Sequence, residues 1–124
     1  MLHILLVDDD LLSALALRAF LERRGYRVTP AGDGPEALVR FDADPADLAL
    51  VDWRMPGMNG GEVVRELRAR RPLLPVVFVT GYSPEVEGFA AALPVPAAVL
   101  DKPVDPAEVL DAVRAALSGG IGPG

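Results

Sequence analysis

Four short apolar runs in this chain each stop abruptly at a polar cluster, and no other feature limits the fold as strongly. His3-Ile4-Leu5-Leu6-Val7 runs into Asp8-Asp9-Asp10, and Leu48-Ala49-Leu50-Val51 runs into Asp52. Val76-Val77-Phe78-Val79 ends in Thr80-Gly81, and Ala97-Ala98-Val99-Leu100 ends in Asp101-Lys102-Pro103. Apolar runs of this length without polar alternation read as strands buried on both faces, which is the pattern of a parallel sheet.

Helical patterns fill the gaps between the runs. Asp9 or Asp10 can cap a first helix whose apolar positions Leu12, Leu15, Ala16, Ala19 and Phe20 recur at three and four, closed by Arg23, Arg24 and Gly25. Tyr26 to Thr29 reads as a short strand, and Gly32-Asp33-Gly34-Pro35 turns the chain into a helix through Glu36, Ala37, Leu38 and Phe41 that Asp44-Pro45 breaks. Gly60 or Gly61 begins a third helix through Val63, Val64 and Leu67, with Arg65, Arg68, Arg70 and Arg71 outside as a solvated face and Pro72 at its end. Ser83 as cap and Pro84 at the first position open a fourth helix, which Pro94 and Pro96 keep short. Asp105-Pro106 starts a fifth through Val109, Leu110, Val113, Ala116 and Leu117.

Five strands each followed by a helix predict an α/β fold, a (βα)5 doubly wound parallel sheet of the flavodoxin-like kind with strand order 2-1-3-4-5. Its switch point lies between strands one and three, so Asp8, Asp9 and Asp52 fall side by side outside the carboxyl ends of the strands. The 124 residues suffice for one domain, expected over residues 1–118, with 119–124 as a glycine-rich flexible tail. A net charge of −6 argues against direct nucleic-acid binding, and no apolar run approaches the ~20 residues of a membrane span. Cysteine is absent, which fits a reducing compartment. The expectation is a cytoplasmic protein.

Clustered carboxylates need a cation to stay ionised, because two of them ~4 Å apart repel by roughly 4 kcal/mol at an effective dielectric of 20. Oxygen ligands suit a hard divalent ion, and Mg2+ fits best, since it binds through one or two carboxylates and completes its shell with waters and phosphate oxygens. With that ion Asp52 can act as nucleophile on a phosphoryl group, while Thr80 and Lys102 offer a hydroxyl and an ammonium to its equatorial oxygens.

Val7-Asp8-Asp9, Val51-Asp52-Trp53-Arg54-Met55-Pro56-Gly57-Met58-Asn59-Gly60, Val79-Thr80-Gly81 and Asp101-Lys102-Pro103 resemble, in order and spacing, the receiver domain of two-component response regulators. The similarity covers residues 2 to 118 and points to the single-domain, chemotaxis-regulator-like kind. It implies Asp52 as phosphoacceptor, with Asp9, the Asp52 side chain and the backbone carbonyl of Arg54 on Mg2+ and Asp8 as a supporting carboxylate of the metal site. It implies Thr80 as the hydroxyl that moves toward the phosphoryl group, Lys102 as its ion-pair partner, and a cis Lys102-Pro103 peptide. It further implies a sensor histidine kinase or histidine phosphotransfer protein as donor and a downstream protein as target, with slow autodephosphorylation in place of enzymatic turnover.

Taken singly, the same residues have plainer uses. An aspartate before a helix is ordinarily a cap, which is the role left to Asp10; a lone threonine is a turn residue, a lone lysine a solvated one. His3 reads as structural. The constellation overturns those readings for Asp8, Asp9, Asp52, Thr80 and Lys102. Two other classes remain open on the residues: a haloacid-dehalogenase-type phosphatase with Asp8 as nucleophile and Asp10 as acid–base, and a phosphorylation-independent adaptor. Within the receiver class, a domain cut from a hybrid kinase is the alternative to a stand-alone protein, which the bare ends favour.

Three departures from the family pattern carry predictions. Val99 stands at the switch position often held by Tyr or Phe, and a stiff β-branched side chain cannot swing as a ring does, so any output runs through Thr80 and the loop after it. Pro94 and Pro96 stiffen the approach to strand five. Arg54 and Tyr82, two residues after Asp52 and Thr80, are expected to shield the acyl phosphate from hydrolysis.

Overall fold

The computed structural model describes residues 1–81 and 83–118; the expectations for Tyr82 and for residues 119–124 lie outside the described residues. Strands β1 (His3–Val7), β2 (Arg27–Ala31), β3 (Leu48–Val51), β4 (Val76–Thr80) and β5 (Ala98–Asp101) alternate with five helices. These are α1 (Leu11–Glu22), α2 (Gly34–Ala43), α3 (Gly60–Arg70), α4 (Pro84–Ala92) and α5 (Pro106–Leu117). All pairings are parallel and the order is β2-β1-β3-β4-β5, the doubly wound arrangement expected.

The unbroken apolar runs are explained by helices on both faces. Side chains alternate along each strand, so Leu5, Val7, Ala49, Val51, Val76 and Phe78 meet α2, α3 and α4, whereas Ile4, Leu6, Leu48, Leu50, Val77 and Val79 meet α1 and α5. Each fully buried Leu, Val or Phe contributes ~1.5–3 kcal/mol by leaving water. The central strands β1, β3 and β4 are buried throughout, while β5 forms an edge with Ala98 and Asp101 exposed. Pro30 is tolerated in β2 because that strand is the other edge.

Two sequence expectations are corrected. The core face of α1 is Ala14 and Leu21 with Leu17 and Phe20 beside them, while Leu12, Leu15, Ala16 and Ala19 are exposed. The segment is apolar nearly all round, so spacing alone could not choose a face. Nor is the α3 arginine row simply solvated: Arg68 is half-buried and turned inward, donating from Nε to the Leu74 carbonyl (3.1 Å) and from Nη1 to the Val95 carbonyl (2.5 Å). His3 is buried and structural, its Nε2 2.7 Å from Thr29 Oγ1 and its backbone N–H donating to Asp47.

Candidate functional site

The parallel sheet carries its functional side chains at the carboxyl ends of adjacent strands. Asp8 follows β1, Asp52 follows β3, Thr80 closes β4 and Lys102 follows β5. Ladder bonds fix their backbones: the Asp8 N–H donates to Ala31 (3.0 Å), the Asp52 N–H to Val7 (2.9 Å), and the Lys102 N–H to Thr80 (2.8 Å). The Lys102-Pro103 peptide is cis.

Asp8, Asp9 and Asp52 each present a carboxylate oxygen, and these oxygens lie within 4.8 Å of one another. Lys102 Nζ bridges two of the three, 3.5 Å from Asp8 Oδ2 and 3.3 Å from Asp52 Oδ2. The Asp8 carboxyl is nevertheless pushed above its ordinary value, chiefly by burial and secondarily by Asp52, with the Asp10 N–H and the ammonium working against the rise. Burial would lower Lys102, but the combined attraction of Asp52 and Asp8 holds its ammonium above the ordinary lysine range. One lysine therefore does not neutralise the cluster, and an oxygen-only donor set with residual negative charge fits a hard divalent cation.

Thr80 is 1% exposed and its hydroxyl has no hydrogen-bond partner among the described residues. A buried, unpaired hydroxyl costs ~1–3 kcal/mol. Its place at a strand tip beside the carboxylates suits an oxygen-rich group that is not part of the protein.

The other expected residues are placed as follows. Asp10 caps α1, accepting from the Ser13 N–H (3.2 Å) and hydroxyl (3.0 Å), and its N–H donates to Asp8 Oδ1 (2.9 Å). Arg54 is exposed, and its N–H donates to Asp52 Oδ1 (3.3 Å). Val99 is half-buried on β5, in register with Phe78 and packed on the α4 side of the core.

Sequence reasoning passed over Trp53. Its ring meets Phe78 (5.7 Å between centroids) and Phe89 of α4 (5.2 Å), both edge-on, and Arg65 lies 5.1 Å over Phe89. The legible signal was Gly60-Gly61: a Cβ on Gly60 would stand 2.5 Å from the Asp52 carbonyl oxygen, and one on Gly61 2.9 Å from the indole. Those two glycines let α3 start directly against the aspartate and the tryptophan.

A sheet of this order with carboxylates, hydroxyl and ammonium converging at its switch point defines the receiver class of signalling domains. The chain belongs to that family: the model for the response regulator receiver domain matches residues 4–114. It is similar to the sensory transduction protein RegX3 of Mycolicibacterium smegmatis, 34% identical over 97% of this chain and 52% of that protein. The alkaline phosphatase synthesis transcriptional regulatory protein PhoP of Bacillus subtilis is 33% identical over 92% of this chain and 48% of its own length. The chain thus spans about half the length of these curated relatives. Among solved structures, a CheY-like receiver domain protein from Methanospirillum hungatei superposes with a TM-score of 0.89 at 31% identity, covering 100% of this chain and 99% of that one. Vibrio cholerae chemotaxis protein CheY4 gives 0.86 at 29% identity, over 94% and 98%.

Receiver domains are phosphoacceptors of two-component systems rather than turnover enzymes, and they bind Mg2+ through acidic residues. Membership removes the haloacid-dehalogenase alternative. No helix among the described residues is long and apolar enough to cross a membrane.

Proposed function

We propose that Asp52 is the phosphoacceptor and that residues 1–118 act as one receiver unit in a phosphorelay. The observation that carries this reading is the convergence of the Asp8, Asp9 and Asp52 carboxylates with the bridging Lys102 ammonium. Asp8, Asp9, the Asp52 side chain and the Arg54 carbonyl would hold Mg2+, which when bound offsets the carboxylate repulsion and the charge of the incoming phosphoryl group.

The chemistry is an in-line displacement at phosphorus. A carboxylate oxygen of Asp52 attacks the phosphoryl group of a histidine kinase or histidine phosphotransfer protein, the P–N bond breaks, and the electron pair leaves on the imidazole nitrogen. Lys102, freed from its pairing with the Asp52 oxygen that becomes phosphorylated, has its ammonium available to an equatorial oxygen. Thr80 donates its unpartnered hydroxyl to another, which gives the phosphorylated state the partner that the free state lacks. With Val99 in place of an aromatic switch, this movement reaches the surface through Thr80 and the loop before α4, altering the binding of a downstream protein rather than of nucleic acid.

The test is intact mass after incubation with acetyl phosphate, with and without Mg2+, on the wild type and Asp52→Asn. One Mg2+-dependent phosphoryl adduct, absent in the variant, is expected. A wild type that takes no adduct and fails to bind beryllofluoride would replace this reading with the phosphorylation-independent adaptor. We further propose a long-lived acyl phosphate, shielded by the exposed Arg54 and by Tyr82. Arg54→Ala combined with Tyr82→Ala should lose the adduct faster, and an unchanged decay rate would refute the shielding.

A further inference from the structure

We propose that Arg68 is a strap tying the loop between α4 and β5 to α3, which makes the far end of α4 a pivot and leaves the near end, beside Thr80, free to tilt. The guanidinium donates from Nε to the Leu74 carbonyl (3.1 Å), in the turn before β4, and from Nη1 to the Val95 carbonyl, in the loop before β5. The second bond is the only one among the described residues that joins α3 to the stretch from Ser83 to Ala97. Leu93 and Ala97, on either side of Val95, lean on the same core face as α3.

Arg68 serves these two carbonyls and nothing else. Among the described residues no carboxylate stands within ion-pair distance of it. Its Nη2 is buried without a partner there, and burial alone holds the group below the ordinary arginine range. Arg70 and Arg71 show the alternative, reaching Asp42, Glu66 and Asp47. A half-buried cation without a counter-charge loses hydration that only its two carbonyl bonds replace. The fork selects arginine, since its donors reach both carbonyls at once where a lysine ammonium offers a single point.

The loop needs a donor from outside. Pro94 and Pro96 carry no N–H, and Pro96 disfavours a helical Val95. The backbone ties α4 to the start of β5 through the Ala97 N–H, 3.3 Å from the Ala90 carbonyl, and Arg68 supplies a second tie. At the near end Ser83 makes no side-chain cap bond, and Gly88 sits in mid-helix. Nine residues at ~1.5 Å each separate the two ends by about 13 Å, so a small turn at the strapped end becomes a displacement of the end beside Thr80.

The strap itself is independent of the phosphoacceptor reading, whereas the use of the pivot rests on it, and the experiment has one arm for each. Amide hydrogen exchange and chemical shifts are followed by nuclear magnetic resonance on the full chain, in the wild type, Arg68→Met and Arg68→Lys. Without ligand, the wild-type Val86 and Gly88 amides should exchange faster than those of Ala92 and Ala97. Arg68→Met should raise exchange at Ala92 and Ala97 about tenfold and leave β1 and β3 unchanged. Arg68→Lys should fall between, and it decides the matter alone if the methionine variant does not fold. With Mg2+ and beryllofluoride, wild-type shifts should concentrate at Val86 to Phe89 and spare Ala92 and Ala97, then spread to both in Arg68→Met. Unaltered exchange at Ala92 and Ala97 overturns the strap, as does a rise shared with β1 and β3, which marks a general loss of stability. Wild-type shifts as large at Ala97 as at Val86 overturn the pivot. If beryllofluoride does not bind, the phosphoacceptor reading fails on its own, and exchange without ligand still decides the strap.

Discussion

Helices α3 and α4 flank the same strand and differ in almost every device that holds a helix in place. The α3 N-terminus has a full capping box, with the Asn59 side chain accepting from the Glu62 N–H (2.9 Å) and the Glu62 carboxylate accepting from the Asn59 N–H (3.0 Å). Its first residue bonds back to Trp53 (2.8 Å), and five of its residues are buried. The start of α4 has Ser83 in the capping position without a side-chain cap bond, two buried residues, and Gly88 in its middle. Helix α3 is fixed to the loop after Asp52, whereas α4 is tied mainly through Val86, Ala90 and the Phe89 ring. Two adjacent helices of one sheet face are thus held by very different means, the firmer one standing against Asp52.

The comparison breaks most sharply at its glycines. Gly60→Ala would drive a Cβ to within 2.5 Å of the Asp52 carbonyl oxygen, and roughly 3 kcal/mol of stability should be lost in urea denaturation. Gly88→Ala meets nothing within 4 Å and should instead add ~1 kcal/mol. Equal effects at the two positions would show that the helices are held alike.

The firm hold on Asp52 also holds carboxylates together against their repulsion, so Asp8→Asn should raise the melting temperature of the Mg2+-free protein by about 4 °C at pH 7. The sign follows from Asp8 itself. Its folded-state value is raised, so its ionised form subtracts stability above that value, and the penalty vanishes as pH falls through it. The advantage of the variant should therefore shrink on acidification, and the variant should gain less from added Mg2+.

Caps give the next contrast. Asn59→Ala should cost ~1 kcal/mol, whereas Ser83→Ala should change stability by less than ~0.5 kcal/mol. The smallest effect belongs to α2, where Glu36 accepts from the Gly32 N–H (2.7 Å) and pairs with Arg40. These bonds, the backbone one first, hold its carboxyl below the ordinary 4.5, so its contribution is present above that value and lost as pH falls through the lower folded one. Glu36→Gln should lower stability slightly at pH 7 and flatten the acid limb of the profile, the two proteins converging at low pH.

The strands and their tips were legible in the sequence because both-face burial and the demand for polar groups at a sheet edge act locally on five or so residues at a time. Asp8, Asp9, Asp52, Thr80 and Lys102 could thus be assembled before any coordinates, since parallel topology decides which tips are neighbours. The face of α1 was not legible, because a helix apolar on most sides takes its orientation from Ala14 and Leu21 fitting the sheet. The inward turn of Arg68 escaped for a related reason, its carbonyl partners coming from the loop after α3 and from the distant loop before β5. Trp53 was visible as a residue, but its meeting with Phe89 depends on where α4 settles.

The bridge from Lys102 to Asp8 and Asp52 spans 94 and 50 residues of chain. It therefore dates the site. A growing polypeptide at ~5–20 residues per second exposes its three aspartates several seconds before the last strand emerges. Until then the carboxylates have neither their ammonium nor the strand edge that supports Thr80. The cluster gains its balancing charge only once β5 and Lys102 have been made, so a chain cut before Lys102 presents its three carboxylates without their ammonium.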